Sequence, residues 1–153
     1  MLINSAGVLL SGELSDVSFG EIKLVIDTNL TGLINTTKAV SSYMKKKKSG
    51  TIININSQAG IGSGMPEFSL YNASKWGVTG FSKCMQLELS KYKVKVTDVF
   101  LGRTNTSIFE KAGLKRDMNS ALKLEDVVKT IEFLLNLPED VVIPEISIKN
   151  INN

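Results

Sequence analysis

A parallel, doubly wound α/β sheet of about four strands with helices on both faces is the fold class this sequence predicts. Three observations predict it. Short β-branched runs alternate along the chain with longer segments of helical periodicity, as in successive β-α-β units. The strand-like runs stop at turn residues, Ser5-Ala6-Gly7 after the first and Leu101-Gly102 after the third. The length, 153 residues, suits one domain spanning 1–153 with a real core, and no repeat, low-complexity tract or linker divides it.

The elements follow in order. Met1-Leu2-Ile3-Asn4 is short and apolar and reads as a buried strand entering a tight turn. Ser18 followed by Glu21 is a capping-box pattern. Ile22, Val25, Ile26, Leu30, Leu33 and Ile34 then recur at helical spacing and predict one long helix to about Met44, closed by Ser49-Gly50. Thr51 to Asn56 is a β-branched strand with Ser57 at its carboxyl end. A loop with Gly60, Gly62, Gly64 and Pro66 leads to Ser69, the expected cap of a helix running to about Lys91. Val94 to Phe100 is a third strand. Residues 103–119 are polar and irregular, with a short helix expected near Ser107 to Ala112. A last helix, about Leu124 to Asn136, leads through Pro138 to a final strand, Val141 to Ile148. Such a sheet is expected to use right-handed crossovers.

Composition narrows the function. With 42% hydrophobic and 22% charged residues the chain is globular rather than disordered. The net charge of +3 draws most densely on Lys45-Lys46-Lys47-Lys48, which reads as a solvated helix end rather than a nucleic-acid site. No apolar run is long enough for a membrane span and no secretory leader pattern is present, so a cytoplasmic protein with no membrane partner is expected. Cys84 is the single cysteine, which excludes an internal disulfide. The absence of histidine excludes histidine catalysis and the usual zinc sites, and no metal is expected.

The stretch with most chemical meaning is Ser69-Leu70-Tyr71-Asn72-Ala73-Ser74-Lys75. On a helix Tyr71 and Lys75 lie one turn apart on the same face. A cation beside a phenol favours its anion and lowers its pKa, which makes the pair a plausible acid/base device. A half-buried ring with a solvated lysine is the alternative. In parallel sheets of this kind the site lies outside the carboxyl ends of the strands. Asn4 to Gly7, Ser57, Gly102 to Thr106 and the start of the Tyr71 helix all fall on that rim.

Together these features resemble the short-chain dehydrogenase/reductase family over nearly the whole chain. Asn4-Ser5-Ala6-Gly7 is similar to that family's Asn-Asn-Ala-Gly turn, with Ser5 in place of the second asparagine. Asn29, in Asp27-Thr28-Asn29-Leu30-Thr31-Gly32, sits where the family keeps a helix asparagine. Ser57, fourteen residues before Tyr71, resembles the catalytic serine, and Tyr71 with Lys75 its Tyr-x-x-x-Lys. Leu101-Gly102-Arg103-Thr104-Asn105-Thr106 resembles the Pro-Gly segment whose threonine meets the nicotinamide, with Leu101 replacing proline. Asp140 to Ile146 looks like the last strand.

The resemblance implies a partial Rossmann-like fold and hydride transfer between NAD or NADP and an alcohol or ketone. Ser57 and Tyr71 would meet the carbonyl oxygen, and Lys75 would lower the tyrosine pKa and hold the nicotinamide ribose. Asn29 would anchor a water relaying protons to Lys75. Asn4, Ala6, Gly7, Tyr71, Lys75, Gly102, Thr104 and Thr106 would border the cofactor. Ser57 also reads as a strand-end cap, and Asn29 as a residue that satisfies backbone within its helix. Met65, Phe68, Phe109 and Leu114 are equally candidates for a substrate pocket and for packing.

Two further expectations concern partners. The helices over 20–44 and 69–91 carry apolar residues on more than one face (Leu33, Ile34, Val40, Tyr43; Trp76, Val78, Phe81, Met85, Leu87), and in the family these helices pair across a two-fold axis, so a homodimer or tetramer is expected. The chain contains no Gly-x-x-x-Gly-x-Gly ahead of Asn4; Gly60, Gly62 and Gly64 precede the wrong helix. It therefore resembles only the second half of a dinucleotide fold, leaves the NAD-versus-NADP choice unread and is expected to be inactive alone, with Met1 to Asn4 an open sheet edge. The competing expectation is a catalytically silent remnant that acts as an interaction module.

Overall fold

The computed structural model describes residues 1–62 and 64–152. Its centre is one four-stranded sheet, β1 (Leu2–Asn4), β2 (Gly50–Ser57), β3 (Val94–Leu101) and β4 (Glu145–Ile148), in the order β1-β2-β3-β4 with every neighbouring pair parallel. Parallel neighbours need crossovers. These are α1 (Phe19–Ile26) and α2 (Gly32–Lys47) between the first two strands, α3 (Ser69–Ser90) between the next two, and α4 (Ile108–Lys111) with α5 (Leu124–Leu135) before the last.

The two faces of the sheet are assigned by residue parity. Ile52 and Val96 pack with Met44 of α2 and Leu89 of α3, whereas Ile53 and Val99 pack with Leu134 of α5. Successive side chains on a strand point to opposite faces, so α2 and α3 cover one face and α5 the other. Helices on both faces are thus found, as is the parallel sheet. The expectation of uniformly right-handed crossovers is not met. Strands placed in sequential order put all crossovers of one hand on one face, so the third connection has the opposite hand to the first two.

Several boundaries move for identifiable reasons. The Ser18–Glu21 capping box forms as expected, with Glu21 N–H donating to Ser18 Oγ at 3.2 Å and Ser18 N–H donating to Glu21 at 2.9 Å. The long helix is interrupted, however, by a π turn over Asp27–Thr31. Lys48, in the left-handed region at φ 51°, closes α2, while Gly50 already belongs to β2. Ser69 is the first helical residue of α3 rather than its cap; Phe68 holds the cap position with no side-chain bond. The final strand begins at Glu145 instead of Val141. Pro144 has no N–H for a ladder, and its carbonyl accepts from Asp98 N–H at 2.9 Å just before the strand starts.

Candidate active site

The carboxyl ends of β1, β2 and β3 and the first turns of α3 form one rim. Tyr71 and Lys75 lie one helical turn apart, with the Lys75 ammonium 5.8 Å from the Tyr71 ring centroid. Lys75 is 6% exposed, donates to the Ile55 carbonyl at 3.2 Å, and is lowered by burial from 10.5 to about 8, the negative charge of Asp98 opposing the shift. Tyr71 is half-buried and hydrogen-bonds Ser57 through its side chain.

The electrostatics differ from the sequence expectation. Burial raises the Tyr71 phenol above its ordinary pKa, and the opposing influence is the hydrogen bond with Ser57 rather than the lysine. Desolvation of the phenolate outweighs a cation that is itself buried and directed to a carbonyl. A proton therefore rests on the phenol at neutral pH.

Ser57 ends β2 with extended backbone. Its Oγ accepts the Ala59 N–H at 3.2 Å and so caps the 3-10 turn Gln58–Gly60. An oxygen that accepts through a lone pair keeps its hydrogen for another partner, so the capping reading and the catalytic reading are compatible. Ser57 N–H in turn donates to Asn56 Oδ1 at 2.9 Å.

Asn29, 1% exposed, lies within the π turn. Such turns are frequent at functional sites because the extra residue redirects a side chain. Its amide does not serve its own helix. Oδ1 accepts Val8 N–H at 2.8 Å, while Nδ2 donates to the Val8 carbonyl at 2.9 Å and to Ser74 Oγ at 3.0 Å. It thereby pins the loop after β1 to α3. Gly77 permits the close approach of α3 to this turn, since a Cβ there would lie 2.7 Å from Leu30 Cδ2.

The remaining candidates divide. A Cβ on Gly7 would meet Asn29 Oδ1 at 3.6 Å and Lys75 Nζ at 4.0 Å, which places Gly7 beside the lysine; Ala6 is exposed. The Asn4 side chain points beneath the rim, donating to Asn54 Oδ1 at 2.8 Å and accepting from Thr36 Oγ1 at 2.7 Å. Gly102 is fixed by packing, because a Cβ would stand 2.6 Å from Lys149 Cβ. Thr104 is 8% exposed and donates to the Gly102 carbonyl at 2.9 Å, while Thr106 is exposed and accepts from Ile108 N–H at 3.5 Å. The 102–106 segment is zipped to residues 120–122 by Leu122 N–H to Arg103 C=O and Asn105 N–H to Leu122 C=O, a pairing the sequence did not signal. Of the pocket candidates, Phe68 is buried, Met65 is 57% exposed, and Phe109 and Leu114 are half-buried.

Sequence reasoning missed a polar layer under the rim: Asn54, Asn56, Thr79, Ser82 and Asp98, all buried. The available signal was the period-two placement of Asn54 and Asn56 among the isoleucines of β2, which puts both on one face. A hollow of about 220 Å³ lies elsewhere, at the opposite end of β3 between Gln86, Lys93, Val142 and Pro144, and contains none of the rim residues. Among the described residues no His/Cys/Asp/Glu group could hold a metal ion, and no helix is long and apolar enough to cross a membrane.

The family described as short chain dehydrogenase matches residues 1–117, and the chain belongs to it. Two relatives are similar over much of the sequence. A 3-ketodihydrosphingosine reductase of Bacteroides thetaiotaomicron is 40% identical over 106 residues, 69% of this chain and 39% of the relative. A 3-oxoacyl-[acyl-carrier-protein] reductase of Synechocystis sp. is 38% identical over 143 residues, 90% of this chain and 58% of the relative. The chain thus spans about half the length of these relatives. Among solved structures, the closed form of a serine dehydrogenase complexed with NADP+ superposes with TM-score 0.91 at 29% identity, covering 99% of this chain and 65% of that one. An alcohol dehydrogenase of Thermococcus sibiricus shares the fold at TM-score 0.87 and 22% identity, covering 99% of this chain and 63% of that one.

Proposed function

We propose that this chain carries the catalytic part of an NAD(P)-dependent oxidoreductase that reduces a ketone on a small molecule to an alcohol. The observation that carries the reading is the Ser57–Tyr71 side-chain hydrogen bond on the rim, with Lys75 one turn further on and Gly7 beside its ammonium. A nicotinamide supplies the hydride when bound. Gly7, exposed and next to a desolvated ammonium, suits the approach of its ribose hydroxyls, and Lys75 with Gly7 and the 102–106 segment would border that end.

Roles follow from protonation. Ser57 donates to the carbonyl oxygen as negative charge grows there. Tyr71, kept protonated by burial, is suited to deliver its proton to the same oxygen as a general acid. Lys75, with a pKa of about 8, is close enough to neutral pH to pass a proton onward and restore the phenol. Asn29 holds Val8 and Ser74, which fixes the floor of the site. The direction of reduction also agrees with two relatives named for a 3-keto or 3-oxo group that they reduce.

The glycine-rich pyrophosphate turn is not within these 153 residues, and we infer that another segment or chain supplies it, because pyrophosphate sites use backbone N–H groups at a helix N-terminus. In the enzyme so completed, NADH and NADPH oxidation would be followed against a panel of 3-keto compounds. Turnover that depends on Tyr71 supports the reading; no turnover with either nucleotide overturns it.

A further inference from the structure

Asp98 is 1% exposed, and none of the reaction steps above assigns it a contact with substrate or cofactor. It stands in a polar row that crosses the sheet in register: Asn4 beside Asn54, Asn54 beside Asp98, Asp98 beside Glu145. All four share the face covered by α2 and α3. Asn54 Nδ2 donates to Asp98 Oδ1 at 3.1 Å, Asn56 Nδ2 donates to Oδ2 at 3.3 Å, and Ser82 donates as well. Burial, with Glu145 beside it, raises the Asp98 pKa, while three donors converging on its two oxygens oppose that shift and favour the carboxylate, an acceptor only.

That constraint propagates. An amide whose Nδ2 must face Asp98 has its Oδ1 turned the other way. For Asn56 the oxygen then receives Ser57 N–H at 2.9 Å, while Nδ2 also reaches Thr79 Oγ1 at 3.0 Å and the Lys75 carbonyl at 3.4 Å. For Asn54 the oxygen receives Asn4 Nδ2 at 2.8 Å. Asn4 begins the turn that contains Gly7. The ends of β1 and β2 and the Lys75 turn of α3 are therefore registered to one another through a single buried acceptor.

The geometry points to Asp98 as a positioning residue: by fixing which way the Asn54 and Asn56 amides face, it sets the placement of Ser57 and Lys75 for ketone reduction. The inference rests on the proposed function for its activity readout but not for its structural one. In Asp98→Asn the new amide can satisfy Asn54 with its oxygen, but its nitrogen then meets Asn56 Nδ2. Asn56 must flip, and its nitrogen then faces Ser57 N–H, donor against donor. The double variant Asp98→Asn/Asn56→Asp removes the conflict at Ser57 N–H, while giving up the 3.4 Å bond from position 56 to the Lys75 carbonyl. The amide introduced at position 98 would donate to the carboxylate introduced at position 56, which still accepts Ser57 N–H and can accept the Thr79 hydroxyl.

The charges around Asp98 decide the pH effect. Lys75 faces it from α3 and Glu145 from β4, the latter paired with Lys83 of α3 at 3.4 Å; β2 offers neutral amides only. The Asp98 charge raises the Lys75 pKa, so its removal moves the alkaline limb of turnover to lower pH.

The test uses the complete enzyme containing this chain, with parent, Asp98→Asn and the double variant compared for kcat, KM, pH profile and hydrogen exchange of the Ser57 amide. We expect Asp98→Asn to lose about ten- to a hundredfold in kcat, the scale of a small misplacement of reacting groups, with faster Ser57 exchange and an alkaline limb at lower pH. The double variant should recover most of each. If Asp98→Asn does not fold, a folded and active double variant still supports the role and an unfolded one overturns it. Unchanged Ser57 exchange in Asp98→Asn, or a double variant no better than the single, overturns it. A parent without ketone turnover overturns the function instead, and the exchange comparison then decides the positioning role alone.

Discussion

Lys75 and Tyr71 share one face of α3, yet the lysine ammonium donates to the Ile55 carbonyl at 3.2 Å and stands 5.8 Å from the tyrosine ring centroid. The pair is thus two desolvated groups rather than an ion pair, the phenol raised and the ammonium lowered to about 8. Both shifts favour the neutral forms. That arrangement gives an acid that holds its proton beside a group that can exchange one.

Tyr71→Phe keeps the ring and removes the proton. In the completed enzyme, turnover should fall by about two to four orders of magnitude, the scale for losing a general acid, while nucleotide affinity measured by calorimetry stays near that of the parent. Turnover within about threefold of the parent would take Tyr71 out of the mechanism.

Lys75 makes a specific contribution to the pH dependence of stability. Its pKa in the folded chain, about 8, is below the ordinary 10.5. Between those values the unfolded chain binds more protons, so stability rises with pH across that window. Denaturant unfolding from pH 8 to 10.5 should show the rise, and Lys75→Met should lack it. The same variant should lose turnover and nucleotide affinity together.

Gly60 sits in the 3-10 turn after Ser57, where a Cβ would lie 2.9 Å from both the Lys75 carbonyl and Asn56 Oδ1 and 3.0 Å from Thr79 Oγ1. Gly60→Ala should destabilise by roughly 1–3 kcal/mol through overpacking and lower turnover as well, since it pushes on the groups that set Ser57 and Lys75. An unchanged unfolding midpoint would contradict the close approach.

Leu33 and Val78, counted in the sequence among the surplus apolar residues of the two long helices, are buried, at 8% and 0% exposure. Tyr43, Trp76 and Leu87 remain outside, at 67%, 49% and 79%. If these helices pair between copies of the chain, light scattering should give a dimer or tetramer for the parent, and Trp76→Glu/Leu87→Glu should shift it toward monomer. A parent that is monomeric well above micromolar concentration removes the interface.

The parallel α/β order, the capping box at Ser18 and Glu21, and the spacing that brings Ser57, Tyr71 and Lys75 to one rim were all legible in the sequence. Each depends on local periodicity or on chain order, which a sequence displays directly. The face taken by α5 was not legible, because it depends on which side of the sheet Leu134 finds apolar partners. The π turn at Asn29 was equally hidden, since its helical spacing differs from an α turn by one residue and the side chain's target, Val8, is far away in sequence. Asp98 passed unnoticed for the same reason: its donors come from another strand and from α3. The protonation states of Tyr71 and Lys75 were decided by burial, a property of the packed chain that their spacing cannot report.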